Sequence, residues 1–200
     1  MLRVGLTGGL ACGKSFVGHA LADLGCHLVN ADELGHEVLL PGGEAYNAVV
    51  GEFGTDVLDP EGRIERGKLA SLVFGSPERL AALNAMVHPH VVRREEALMA
   101  RFASADPHGI AVVEAAILVE TGSYTRFDKL ILVTCGEEQQ VARAMKRDGR
   151  PREDVLARLS RQMPLLEKRK FADYVIDSSG AKENTLRQTR EVWESLRRLT

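Results

Sequence analysis

The sequence predicts an α/β fold: a five-stranded parallel sheet flanked by helices, carrying a helical insertion and a lid. Three observations predict it. Short β-rich runs at residues 2–7, 26–30, 110–114, 129–134 and 174–177 alternate with helical periodicity, the pattern of a parallel sheet whose crossovers are helices. Residues Gly8-Gly9-Leu10-Ala11-Cys12-Gly13-Lys14-Ser15 match the phosphate-loop pattern G-x-x-x-x-G-K-[ST] in full, directly after the first run. Between the second and third runs lies a long stretch, residues 31–109, with several helical patterns and no clear strand. A structureless loop of that length is improbable, so it reads as an inserted helical subdomain.

In chain order, Val4 and Leu6 suit a buried parallel strand. The loop then needs a helix after it, so that backbone N–H groups converge on phosphate. Phe16, Val17, Ala20, Leu21 and Leu24 recur at helical spacing, and Gly25 stands where that helix would stop. After the second strand, residues 33–40 look helical, Pro41-Gly42-Gly43 breaks them, and residues 44–53 look helical again. Asp59-Pro60-Glu61-Gly62 marks a turn, followed by helical stretches at 68–74 and 77–103. Pro89 in the last stretch sets the start or a kink of a helix. Beyond the fourth strand, Val141, Ala144 and Met145 form the buried side of a helix whose other face carries Arg143 and Arg147, four residues apart. Residues 182–199 read as an amphipathic helix with Leu186, Val192, Trp193 and Leu196 inward. The expected organisation is a nucleotide-binding core at 1–32, 104–140 and 172–200, a mostly helical subdomain at 33–103, and a basic lid at 141–171.

Composition narrows the partners. A net charge of −2 gives no general attraction to nucleic acid, and no stretch is long and apolar enough for a membrane span. The N-terminus reads as a core strand and not a signal peptide, because cleavage would destroy the loop it leads into. Three cysteines, Cys12, Cys26 and Cys135, are odd in number, far apart in sequence and without C-x-x-C spacing, which argues for a reducing cytoplasm and against a disulfide framework. A monomer with at most weak self-association is expected.

The loop implies a nucleoside triphosphate and Mg²⁺: Lys14 reaches the β and γ phosphates and the Ser15 hydroxyl ligates the metal. Ligands in open parallel sheets sit beyond the carboxyl ends of the strands. The residues after each run are therefore candidates, with Asp32, Glu114 and Ser178 among them. Asp32 has two readings, a carboxylate that takes an acceptor hydroxyl's proton or holds Mg²⁺ through water, and a helix N-cap. Glu114 suits a metal-bound water or a structural hydrogen bond. Cys12 reads as a redox-sensitive thiol or as a small filler in the loop. Residues 143–170 hold ten Lys or Arg against four acids, and Arg143 with Arg147 would neutralise charge during transfer beneath a closing lid. His88-Pro89-His90 lacks a third ligand nearby and does not read as a metal site. No N-K-x-D element for reading guanine is present, and Asp59-Pro60-Glu61-Gly62 fits D-x-x-G only within a polar turn. A small-molecule kinase is favoured over a GTPase or a motor ATPase. Within that class, small-molecule and nucleoside monophosphate kinases on the same core compete, and a regulatory protein that binds ATP without phosphorylating a metabolite is the competing class outside it.

Several stretches together resemble dephospho-coenzyme A kinase. They are Leu6-Thr7-Gly8 through Ser15, Asn30-Ala31-Asp32, Leu83-Asn84-Ala85-Met86-Val87-His88-Pro89, Ile117-Leu118-Val119-Glu120, Arg143-Ala144-Met145-Lys146-Arg147-Asp148, Arg161-Gln162-Met163, Glu167-Lys168 and Ala172-Asp173-Tyr174-Val175-Ile176-Asp177. The resemblance implies a P-loop kinase fold with residues 33–103 as the acceptor-binding subdomain, and transfer of the ATP γ-phosphoryl group to the ribose 3′-hydroxyl of dephospho-CoA. It implies Asp32 as catalytic carboxylate, with Lys14 and Arg143. ATP would be bound by Gly9, Leu10, Ala11, Cys12, Gly13, Lys14, Ser15, Phe16, Arg143 and Arg147, and the acceptor by Thr7, Asp32 and His88. Two departures stand out: Phe16 where the family commonly has Thr, and no Pro before Ile117-Leu118-Val119-Glu120.

Overall fold

The computed structural model describes residues 1–73 and 75–200, and these group into two compact units. One comprises Met1–Asn30 and Ala100–Thr200, the other Ala31–Met99.

The first unit holds all five expected strands: β1 (Leu2–Gly8), β2 (His27–Asn30), β3 (Ile110–Glu114), β4 (Lys129–Thr134) and β5 (Tyr174–Asp177). They pair in parallel in the order β2-β3-β1-β4-β5. The three central strands are sealed on both faces, which is why their sequences run apolar without alternation. The register sets Leu6 and Asn30 beside Glu114, Gly8 beside Val133 and Thr134 beside Asp177, so the carboxyl ends form one rim. On the sheet, α1 (Lys14–Asp23) and α9 (Lys182–Arg197) bury Val17, Leu21, Val192 and Leu196 against Val4, Leu6, Ile131, Val133 and Ile176, with Trp193 packed beside them.

Two expected core residues face outward. Leu186 is 43% exposed, and the buried stripe of α9 is Thr185, Thr189, Val192 and Leu196. A threonine can be buried there because its hydroxyl has a partner within the helix: Thr189 Oγ1 donates to the Thr185 carbonyl at 2.8 Å. Counting apolar residues alone rotates the face by one position. Met145 is likewise 36% exposed, and Gln140, Val141 and Ala144 form the buried side of α6 (Glu137–Asp148). α7 (Arg152–Leu159) adds Val155 to a small cluster with Val141 and Ala144, against which Leu10 and Ala11 of the loop pack. The short α8 (Leu165–Lys168) follows.

The second unit is built on α2 (Ala31–Glu37), α3 (Tyr46–Phe53), α4 (Arg66–Val73) and the part of α5 (Pro77–Ala105) up to Met99. Val38, Val49, Val57, Leu69, Val73 and Val91 form its core. Asp59 closes the expected turn by accepting the N–H groups of Glu61 and Arg63 at 3.0 and 2.8 Å. Arg94 is held by Glu44 and Glu37. Pro89 lies inside α5 and does not start it, so the helix forgoes one backbone hydrogen bond there. Phe74, the last residue of the expected helical stretch 68–74, lies outside the described residues.

Candidate functional site

The loop after β1 follows a narrow backbone path. Gly13 caps α1 at φ 81° and Ala11 sits at φ 54°, both in the left-handed region. At Gly9 an added Cβ would lie 2.5 Å from Gln140 Oε1 and 3.0 Å from Cys12 Sγ. The glycines therefore answer two demands, a positive φ at position 13 and close packing at position 9. Because α1 begins at Lys14, its first-turn N–H groups lack intrahelical acceptors and lie at the end of the loop, an arrangement suited to anions.

Glu114, at the end of β3, ties down one side. The Ser15 hydroxyl donates to Glu114 Oε1 at 2.6 Å, and Lys14 Nζ is 3.8 Å from the same oxygen. Glu114 is only 3% exposed, and a Cβ at Gly18 would come within 3.0 Å of its Oε2. With its proton directed to Glu114, Ser15 keeps its oxygen lone pairs for another partner. Hard oxygen donors beside a buried carboxylate fit Mg²⁺.

The other side is tied by Ser178, the residue after β5. Its hydroxyl donates to the Cys12 carbonyl at 2.7 Å, while Arg143 donates to Ser178 Oγ at 3.2 Å and to its carbonyl at 2.8 Å. Cys12 Sγ lies 3.4 Å from Cys135 Sγ. Above the loop, the Leu10 N–H donates to Gln162 Oε1 at 2.9 Å. Lys168 is fully buried; its ammonium meets Glu120 at 2.7 Å and donates to the Ala116 carbonyl at 3.0 Å.

Residues Gly9 to Phe16 thus fall in the loop and first turn of α1, with Lys182 Nζ 5.7 Å above the Phe16 ring. Arg143 reaches this network. Arg147 does not join it: it is exposed and forks onto its neighbour Asp148 at 2.7 and 3.1 Å, so the two arginines do not act as a pair here. Thr7, expected at the acceptor, is completely buried, and its hydroxyl donates to the Ala116 carbonyl at 3.2 Å. It ties the end of β1 to the segment after β3. In the second unit, Asp32 is exposed in the first turn of α2, two residues beyond the end of β2. His88 is half-buried in α5, and burial lowers its pKa. Ser178 and Glu114 were findable from their places after or at strand ends. Gln162 and Lys168 lay in stretches that carry the family resemblance, but nothing in their local pattern gave either a role.

A loop of this shape, with a lysine, a hydroxyl and a carboxylate converging at its end, can bind a nucleoside triphosphate with its metal and support phosphoryl transfer. Comparisons with known proteins agree with that chemistry. The family model described as CoaE, dephospho-CoA kinase, matches residues 2–184. A dephospho-CoA kinase of Thermobifida fusca is 41% identical over 99% of this chain and 98% of its own length, and one of Aquifex aeolicus is 41% identical over 99% of both. Among solved structures, TT1252 from Thermus thermophilus superposes with a TM-score of 0.83 at 34% identity, covering 98% of this chain and 97% of that one. The dephospho-CoA kinase of Campylobacter jejuni gives 0.69 at 25% identity, again covering 98% and 97%. The chain belongs to the dephospho-CoA kinase family.

Proposed function

We infer that this chain carries out the reaction of its family, moving the γ-phosphoryl group of ATP to the ribose 3′-hydroxyl of dephospho-CoA, the last step of coenzyme A synthesis. The observation that carries the reading is a family match over residues 2–184 together with Lys14, Ser15 and Glu114 gathered at the phosphate loop. Loop amides from Gly9 to Ser15 cradle the phosphates, and Lys14 follows the charge as it moves to the bridging oxygen. When bound, Mg²⁺ would sit on Ser15, with Glu114 holding its water ligands, and would neutralise the β and γ phosphates. Arg143 supplies a further cation to the transferring group, and closure of residues 141–171 excludes water. Asp32 accepts the 3′-hydroxyl proton, a role supported by its place beyond a strand end within the residues the family model matches. Residues 33–103 hold the acceptor, His88 among them. On this reading the chain works as a monomer in the cytoplasm. Among the described residues no helix is long and apolar enough to cross a membrane.

The test is ADP formation from Mg-ATP with a panel of acceptors. Turnover is expected with dephospho-CoA and not with nucleoside monophosphates or shikimate; slow acceptor-independent hydrolysis alone would refute the assignment. Asp32→Asn should lower kcat by about 10²–10³-fold, within the range of general-base effects, with ATP affinity nearly unchanged. A change confined to KM would reduce Asp32 to a positioning role.

A further inference from the structure

Two of the three thiols, 123 residues apart in sequence, meet under the phosphate loop. Strand order brings them together, because β1, which leads into the loop, pairs with β4, which ends at Thr134 just before Cys135. Their sulfurs are 3.4 Å apart, and bonding would require closing the gap by about 1.4 Å to reach the normal S–S length. Cys12 is completely buried, but Cys135 keeps 8% exposure and lines a cavity of about 660 Å³ with Gln139, Leu165, Arg169, Asp177 and Gln188. A small oxidant entering that cavity meets Cys135 first.

We propose that Cys12 and Cys135 are a redox site: peroxide joins them in a reversible disulfide that ties the phosphate loop to the end of β4 and suppresses phosphoryl transfer. The switch rests on the phosphate-binding role of the loop described above. In the first step the Cys135 sulfur attacks one peroxide oxygen, the O–O bond breaks, and water leaves as Cys135 becomes a sulfenic acid. In the second, the Cys12 sulfur attacks the Cys135 sulfur, the S–O bond breaks, and a second water carries away the remaining thiol proton. Two thiols lose two electrons in total and the peroxide gains them. Geometry favours this order of attack, and so does acidity. The Cys135 thiol is held below the usual range, first by its hydrogen bond with Cys12 and then by the Arg143 guanidinium and the Ser178 hydroxyl, against the opposing effect of burial. Cys12 is pushed up by the same hydrogen bond and by burial, and so stays protonated until it resolves the sulfenic acid. Cys26 does not compete, since burial pushes its thiol up to about 12.

Inhibition follows from where Cys12 lies. Its N–H donates to the Gly9 carbonyl, its carbonyl accepts from Ser178, and its neighbours Ala11 and Gly13 hold left-handed backbone. Drawing its sulfur toward β4 shifts the amides that must converge on phosphate, and such a site tolerates little displacement.

The full chain, reduced and then exposed to hydrogen peroxide that is afterwards removed with catalase, decides the matter by three readings. Before alkylation the intact mass should fall by two hydrogens, alkylation in denaturant should then add a single label at Cys26, and peptide mapping should recover a cross-link between residues 12 and 135. Turnover of dephospho-CoA should fall at least tenfold and return with dithiothreitol. Cys135→Ala should keep its reduced-state turnover and lose the reversible inhibition. If Cys12 and Cys135 stay alkylatable in an active, peroxide-treated enzyme, or if the cross-link forms without loss of turnover, the switch is overturned. A reduced enzyme without any turnover would overturn the functional reading itself, whatever the mass shows.

Discussion

On the function proposed above, the phosphate loop and the basic segment at 141–171 meet the same requirement, positive potential for a triphosphate, by opposite means. In the loop it comes from backbone: N–H groups aligned by two left-handed residues and a helix start, with one lysine added. In the segment it comes from side chains, and most of those cations are already matched. Arg147 and Arg158 share Asp148, Arg152 holds Glu138, Arg150 meets Asp154, Lys170 meets Glu167 and Lys168 meets Glu120. Arg143 differs, because its hydrogen bonds go to the neutral oxygens of Ser178. A cation on neutral partners keeps its charge for an incoming anion. A run of basic residues therefore says little about ligand binding until the partner of each is known.

The largest effect should come from the loop. Lys14→Ala is expected to lower kcat/KM by about 10³–10⁴-fold, roughly 4–5.5 kcal/mol of transition-state stabilisation, while the thermal midpoint moves little. Steady-state kinetics on a variant with a native circular dichroism spectrum measures it. Turnover within tenfold of the parent would mean that the backbone alone carries the site.

In the basic segment the largest expected effect is on stability and not on catalysis. Lys168 is completely buried while the Glu120 side chain keeps 19% exposure, and Glu120 Oε1 also accepts the Met163 N–H at 3.1 Å. Lys168→Met removes the buried partner of a partly buried carboxylate and should cost about 2 kcal/mol in urea unfolding, less than the loss of a fully buried pair. Converting Glu120 to Met as well should restore much of it, because no unpaired carboxylate then remains. If the double variant is as unstable as the single, the pair contributes through its other hydrogen bonds, to Ala116 and Met163, more than through its charges.

That buried lysine marks the limit of what the chain discloses in one dimension. The strands were legible because sheet burial writes itself into contiguous apolar runs, and the loop because all its residues are neighbours in sequence. The Ser15–Glu114 hydrogen bond spans 99 residues and the Cys12–Cys135 contact 123, and both depend on strand order, which local patterns do not encode. Thr7 adjoins the motif, and its buried hydroxyl donates to the Ala116 carbonyl, 109 residues away, another contact that local patterns do not encode. Lys168 and Arg169 are consecutive basic residues; the first is sealed and the second lines a cavity. Only packing tells them apart.

The two arginines sharpen the contrast within one helix. Arg143→Ala should reduce turnover about 10- to 100-fold, the loss of one charge-stabilising group near the transferring phosphoryl. Arg147→Ala should change it less than about threefold, since an exposed pair of this kind contributes little. Equal effects would show that the lid brings both cations to the nucleotide on closure, in an arrangement different from the one described.

The smallest effect should lie where the two regions touch. Gln162 stands in the basic segment but acts on the loop, accepting the Leu10 N–H at 2.9 Å while the Leu10 side chain packs beside Val141, Ala144 and Val155. Two roles are open to such a contact, and they predict opposite signs. If the amide oxygen holds Leu10 in its binding conformation, Gln162→Ala loosens the loop and raises KM for ATP, by about two- to fivefold for a neutral hydrogen bond of ordinary strength. If it occupies a donor that phosphate must claim, its removal lowers KM. The packing of Leu10 and Ala11 on the same helices favours the first, because side chains already fix the loop against this segment and the hydrogen bond completes that attachment. Gln162→Glu separates the roles further. A carboxylate keeps the acceptor but places negative charge beside the incoming phosphates, so a rise in KM larger than that of Gln162→Ala is expected, measured at constant ionic strength because salt screens the repulsion.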